Sequence, residues 1–395
     1  MPARLRGNSF MRTKVLCTFG ATYGGGILRV LTDGLPHLNR QPGIQLAFGD
    51  LYEREDIKVV FRSVGMPVAA VGVRCVPYTS VRHGLARQID RVRAFPRYCL
   101  IAHRLRRAAQ TVDVVYVHTY KELVLAAWSG ARIVWHCHGL DDIPPFTARL
   151  AGLCAGVIAI SDTVAETLRE IGVPGDRITT VLNAIDVERI VSMAAAPPTT
   201  PLPVRDTAPV VLVPTASIRP NKGIHVLLQA AREVPELEVW IAGDMRDSAA
   251  GGYAQHLLEL SRSPKLSGRV HFIGFRPDIY SVVRAADIIC VPSVCREGFG
   301  LAAAEAMTLG KPVIVSNRGA LPDVVQQGEA GIIIDPDRPQ DLTSALQRLI
   351  TDSQYAQRLG THAESYARLR FSYDRWAETV AQVLRDASRK HLEST

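Results

Sequence analysis

The chain has 395 residues, too many for one typical core and suited to two domains. Hydrophobic residues make up 47% and charged residues 21%, which excludes a disordered or fibrous chain. The formal charge of +8 points to an acidic partner: a phosphate-bearing substrate, an anionic membrane or nucleic acid. The longest uncharged apolar stretch, residues 150–160, is eleven residues, short of the ~18 that a spanning helix needs. The basic start MPARLRGNSFMRTK leads into an apolar run cut by Gly20, unlike a secretory signal. Seven scattered cysteines without a C-x-x-C pair argue for a reducing cytoplasm and against a disulfide framework or structural zinc site.

In chain order, residues 15–19, 114–118, 132–135 and 157–160 read as buried strands. Helices are expected over 27–35 and over 162–171, the latter opened by Ser161 as N-cap. Five of the thirteen residues 197–209 are proline, which neither a helix nor a central strand tolerates. This stretch reads as a linker between an N-terminal domain (1–196) and a C-terminal one (210–372). The alternation then resumes, with strands at 210–214, 237–241, 287–291, 312–315 and 332–334 and helices at 224–233, 301–309 and 341–350. Two strand–helix series predict an α/β protein with two parallel sheets, each covered on both faces. Ligands in such folds sit beyond the carboxyl ends of the strands, so a cleft between the domains is the expected site.

Four constellations could carry chemistry. Gly24, Gly25 and Gly26 stand between a strand and a helix, where backbone N–H groups can approach an anion. Arg29 occupies the place of a third fingerprint glycine, so a tight turn is the commoner explanation of the triplet. In VWHCHGLDD, His136 and His138 are spaced for metal binding, but no third ligand stands nearby in the sequence. His138 reads better as a hydrogen-bonding group at a strand end, and His136 as a ring satisfied within the fold. In ASIRPNKGIHVLL, Arg219 and Lys222 place two cations in a loop before a helix, a geometry suited to a diphosphate, although two solvated cations would look the same. In REGFGLAAAEAM, Glu297 and Glu305 are separated by seven residues, with Gly298-Phe299-Gly300 making a turn between them. A glutamate within LAAAEAM is costly to bury without partners, and a carboxylate there can accept two bonds from vicinal hydroxyls. Asp335-Pro336-Asp337 spells D-x-D but reads as a turn.

The E-x7-E block, followed by GKPVIVS and GEAGIIIDP, resembles the signature of the retaining glycosyltransferase family 4. The resemblance extends to residues 157–186, to SIRPNKG and to residues 270–293, and is clear from about 130 to 375. It implies the GT-B fold, two Rossmann-like doubly wound parallel-sheet domains facing a central cleft. It also implies transfer of a sugar from a nucleotide-diphosphate donor, UDP- or GDP-linked, to a glycan, lipid-linked or small-molecule acceptor, without a cofactor or metal. The final helix (373–395) would cross back to the N-terminal domain.

By the same resemblance, Lys222 would hold the diphosphate, with N–H groups of Gly25 and Gly26. Glu305 would bind the ribose, Glu297 and His138 the transferred sugar, and the N–H groups of Phe299, Gly300 and Leu301 sugar or phosphate. Phe275 or Arg276 would lie beside the base. Ser217 stands where many members carry a phosphate-binding arginine, so that role passes to Arg219. Ala184 and Ala320 likewise replace common glycines.

A glycoside hydrolase would also need two carboxylates, but not a cationic loop and glycine turn. A nucleotide-sugar epimerase of the same fold and a non-catalytic nucleotide-sugar binder are the nearer alternatives. Aromatic residues at 6% without basic interleaving disfavour nucleic acid. Residues 82–107 hold eight arginines and one acid, Asp90, a net +7 of the chain's +8. An amphipathic basic helix after Pro96 would suit the inner face of an anionic membrane, against the plainer reading of a solvated face.

Overall fold

A computed structural model describes residues 12–20, 26–73, 85–139, 146–204, 207–245 and 252–389. The chain divides into two compact units, residues 1–182 with 373–395 and residues 183–372.

The first unit is built on six parallel strands: β1 (Thr13–Phe19), β2 (Ile44–Asp50), β3 (Val114–Val117), β4 (Ile133–Cys137), β5 (Gly156–Ala159) and β6 (Ile178–Thr180). Their order is β2-β1-β3-β4-β5-β6. β3, β4 and β5 are buried along their whole length, as expected for strands covered by helices on both faces. Ser161 caps the helix Asp162–Glu170 by accepting from the Val164 N–H at 3.2 Å. The helix Tyr373–Arg389 packs on the helix Gly26–Asn39 and on β1, β3, β4 and β5. That contact is close: a Cβ on Gly34 would lie 2.8 Å from the Trp376 ring.

The second unit carries β7 (Val210–Ser217), β8 (Glu238–Asp244), β9 (Val270–Gly274), β10 (Ile288–Val291), β11 (Val313–Ser316) and β12 (Ile332–Ile334). They are all parallel, in the order β12-β11-β10-β7-β8-β9. The chain reverses its direction of sheet growth between β7 and β10, which opens a crevice at their carboxyl ends.

Two expectations are corrected. The unit boundary falls at Asn183, not at residue 196. The helix Val187–Ala195 packs on the helix Ile279–Ala285, and Ser281 Oγ donates to the Met193 carbonyl at 3.0 Å. The proline-rich segment is likewise tied to the second unit: the Thr199 N–H donates to Asp278 Oδ2 at 2.6 Å, and Arg276 Nη2 to the Thr200 carbonyl at 2.9 Å. The basic helix spans Leu85–Ala109 and runs through Pro96 rather than starting after it. No helix among the described residues is long and apolar enough to cross a membrane.

Candidate active site

Both motifs of the second unit sit at its switch point. β7 runs into the turn Pro220–Lys222, and β10 into the loop that carries Glu297. The two loops are joined by the backbone, since the Val294 N–H donates to the Asn221 carbonyl at 3.0 Å. Gly223 permits this approach: its φ is +65°, and a Cβ would lie 1.9 Å from the Pro292 carbonyl oxygen. No other residue fits that position.

This backbone brings Lys222 and Glu297 together. Lys222 Nζ donates to Glu297 Oε1 at 2.7 Å, and Ser293 Oγ donates to the same oxygen at 2.6 Å. Ser293 is fully buried and fixed in turn by Ser316 Oγ, which donates to its carbonyl at 2.6 Å. Behind the carboxylate, the Ala320 N–H donates to the Glu297 carbonyl at 2.9 Å. A Cβ on Gly319 (φ +62°) would come within 2.2 Å of that carbonyl oxygen. The Lys222 and Glu297 side chains stay 32% and 17% exposed, so the pair is held yet reachable.

Gly300, at φ +101°, caps the helix Leu301–Met307, its carbonyl accepting from the Ala303 N–H at 3.0 Å. Glu305 lies in the second turn of this helix, half-buried between buried Ala304 and Ala306. The Phe299 ring is buried, edge-on to Phe371 at 5.4 Å, so only its backbone can serve a ligand. Arg219 is exposed, and its carbonyl accepts from the Lys222 N–H at 3.0 Å. The sequence left Phe275 and Arg276 as equals, and the structure separates them. Phe275 is 59% exposed, whereas buried Arg276 forms a two-bond ion pair with Asp278 at 2.8 and 2.7 Å. Arg318 answers the D-x-D carboxylates, bonding Asp335 at 3.2 Å and also Asp337.

In the first unit, His138 Nε2 lies 3.0 Å from His118 Nδ1, and the centroid of the His136 ring lies 4.1 Å from that of His138, the two rings tilted by 31°. The third imidazole that the sequence did not show is therefore His118, on the chain leaving β3. Burial pushes the His138 imidazole down to about 3. Buried Glu122 joins the ends of β1 and β3, accepting from the Gly20 N–H, Thr18 Oγ1, the His118 N–H and Thr119 Oγ1 at 2.9–3.1 Å. Of the glycine triplet, Gly24 and Gly25 lie outside the described residues, and Gly26 opens the helix that follows.

Residues 203–366 match the family of glycosyl transferases group 1, and residues 55–189 match glycosyltransferase family 4. The chain belongs to the family 4 glycosyltransferases. Its two six-stranded parallel sheets are those of the GT-B fold. Over 173 residues (42% of the chain and 40% of the relative) it is 35% identical to D-inositol 3-phosphate glycosyltransferase of Corynebacterium diphtheriae. Over 242 residues (58% and 52%) it is 33% identical to the protein of that name from Rhodococcus jostii. The chain thus spans about half the length of the curated relatives it matches. Its fold is similar to that of Anabaena HepE in complex with UDP and glucose, with a TM-score of 0.72 at 21% identity over 94% of this chain and 99% of that one. A glycosyltransferase from Rickettsia africae gives 0.75 at 17% identity over 95% and 98%.

Within this family 4 chain, the sequence motifs point to Lys222 and Glu297, which the structure brings together, but not to Ser293 or His118. Ser293 had a weak signal, four residues before Glu297 at a strand end. His118 had none, because only the pairing of β3 with β4 brings it to His138.

Proposed function

We propose that the protein transfers a sugar from a nucleotide-diphosphate donor to an acceptor hydroxyl, with retention at the anomeric carbon. The Lys222–Glu297–Ser293 cluster at the β7/β10 switch point carries this reading. It puts a cation where a leaving diphosphate gains charge, and a carboxylate beside it for sugar hydroxyls. Donors placed on such a leaving group are worth ~10²–10³ each in rate. Glu305 is assigned to the ribose, Phe275 to the base, Arg219 to phosphate, and the N–H groups of Phe299, Gly300 and Leu301 to sugar or phosphate. His138 of the first unit is assigned to the sugar, and Gly25 and Gly26 remain part of this proposal. Cations and backbone N–H groups offset the leaving charge, so no metal is needed. The likeness to inositol-phosphate glycosyltransferases makes a small phosphorylated polyol the first acceptor to try.

The test is a screen of UDP- and GDP-linked sugars that follows nucleoside diphosphate release with and without acceptor, in excess chelator. Acceptor-dependent release, with retained configuration in the product by proton NMR, is expected. An inverted linkage, or a strict magnesium requirement, would contradict the reading. Donor converted to its epimer without acceptor would point to an epimerase instead.

A further inference from the structure

The first unit gathers three imidazoles at the carboxyl ends of β3 and β4. One ring nitrogen from each of His118, His136 and His138 lies within 4.8 Å of one from each of the others. His118 and His136 are buried, at 2% and 0% exposure, and His138 is half-buried. In the two buried rings one nitrogen is anchored by the protein. His136 Nδ1 lies 2.6 Å from Tyr116 Oη, and His118 Nε2 lies 3.3 Å from Cys17 Sγ. The remaining nitrogens differ in an informative way. His118 Nδ1 meets His138 Nε2 at 3.0 Å, whereas His136 Nε2 is buried without a partner. An unpaired buried polar group is destabilising, and at a strand position flanked by buried Trp135 and Cys137 an aliphatic side chain would avoid that cost. A purely structural histidine cluster leaves this nitrogen unexplained.

We propose that His118, His136 and His138 form a binding site for a divalent transition-metal ion of the zinc class. Three imidazoles with a fourth position open is a donor set zinc accepts, and imidazole also suits copper and nickel. A tetrahedral ion with 2.0–2.1 Å bonds needs its nitrogens about 3.3 Å apart, close to the 3.0 Å of the His118–His138 pair. Tyr116 and Cys17 supply the outer contacts that orient ligating rings. The transfer chemistry proposed above does not use this ion. Its effect on turnover does rest on that reading: a metal on His138 removes the group assigned to the sugar, so zinc inhibits.

The experiment titrates the metal-stripped full chain with cobalt, follows the visible bands of a tetrahedral site, and then competes zinc against a chromophoric chelator. One equivalent is expected to bind. His136→Gln and His118→Gln should each weaken binding at least tenfold while circular dichroism shows the native fold. If either fails to fold, His138→Gln, at a half-buried position, carries the comparison. Wild-type protein that binds no stoichiometric metal, or folded variants that bind as tightly as wild type, overturns the site. Turnover measured in the same titration separates this inference from the transfer reading. Inhibition that saturates at one equivalent supports both, and binding with unchanged turnover supports the metal site while removing His138 from the sugar. Active enzyme that binds no zinc overturns the metal site alone.

Discussion

Lys222 Nζ lies 2.7 Å from Glu297 Oε1, an oxygen that also accepts from Ser293 Oγ at 2.6 Å. The cation assigned to phosphate and the carboxylate assigned to sugar are therefore one ion pair before any ligand arrives. A diphosphate must compete with Glu297 for Lys222. Glu297→Gln keeps the shape and removes the competing charge. We expect it to bind nucleoside diphosphate as tightly as wild type or tighter, while kcat falls at least tenfold. Calorimetry beside steady-state kinetics checks this, and a variant losing affinity and turnover equally would give Glu297 a different role.

The alternation of strands and helices, and the E-x7-E block, were legible because they depend on local pattern. Buried parallel strands such as β3 and β10 are continuous apolar runs, and Glu305 stands out in an alanine-rich helix. β2 and β9 escaped notice: IQLAFGD and VHFIG each mix polar and small residues into the strand. The unit boundary was misplaced because prolines suggest a linker. Here their segment is held down by Asp278 and Arg276, some 80 residues later in the chain, which no local reading reveals.

Asp278 also sets an acid limit. Burial would raise its carboxyl, but the Arg276 guanidinium and the Thr199 N–H outweigh this and hold it at about 2. Its folded pKa is below the ordinary 3.8, so its contribution is present above pH 3.8 and is lost as pH falls toward 2. Both side chains are buried, at 3% and 7% exposure. Asp278→Ala strands the guanidinium and should cost about 3 kcal/mol at neutral pH. Denaturant unfolding at pH 7 and at pH 3 measures both effects. The difference between wild type and variant should shrink at the lower pH, and a constant difference would exclude the linkage.

The basic helix Leu85–Ala109 turns Ile101, Leu105 and Ala109 inward and leaves Phe95, Arg97, Leu100, Arg106 and Arg107 exposed. Arg104 is spoken for, because its guanidinium donates to the Gly72 carbonyl. We propose that the exposed arginines hold the protein on an anionic membrane. At ~1 kcal/mol per basic residue, three contribute ~3 kcal/mol. Arg97, Arg106 and Arg107 all changed to Gln should abolish low-salt sedimentation with phosphatidylserine vesicles. Equal sedimentation of the two proteins would leave the helix as a solvated face.

In the proposed mechanism the β7/β10 switch point holds a donor diphosphate through Lys222, and nucleotide calorimetry measures that binding. Wild type should bind one UDP or GDP per chain. Truncating one partner of a charged hydrogen bond commonly costs ~1.5–3 kcal/mol, so Lys222→Ala should weaken binding roughly 10- to 150-fold. Glu305→Ala should weaken it as well, through the ribose. Nucleoside diphosphate bound equally well by wild type and by Lys222→Ala would show that Lys222 does not hold the diphosphate.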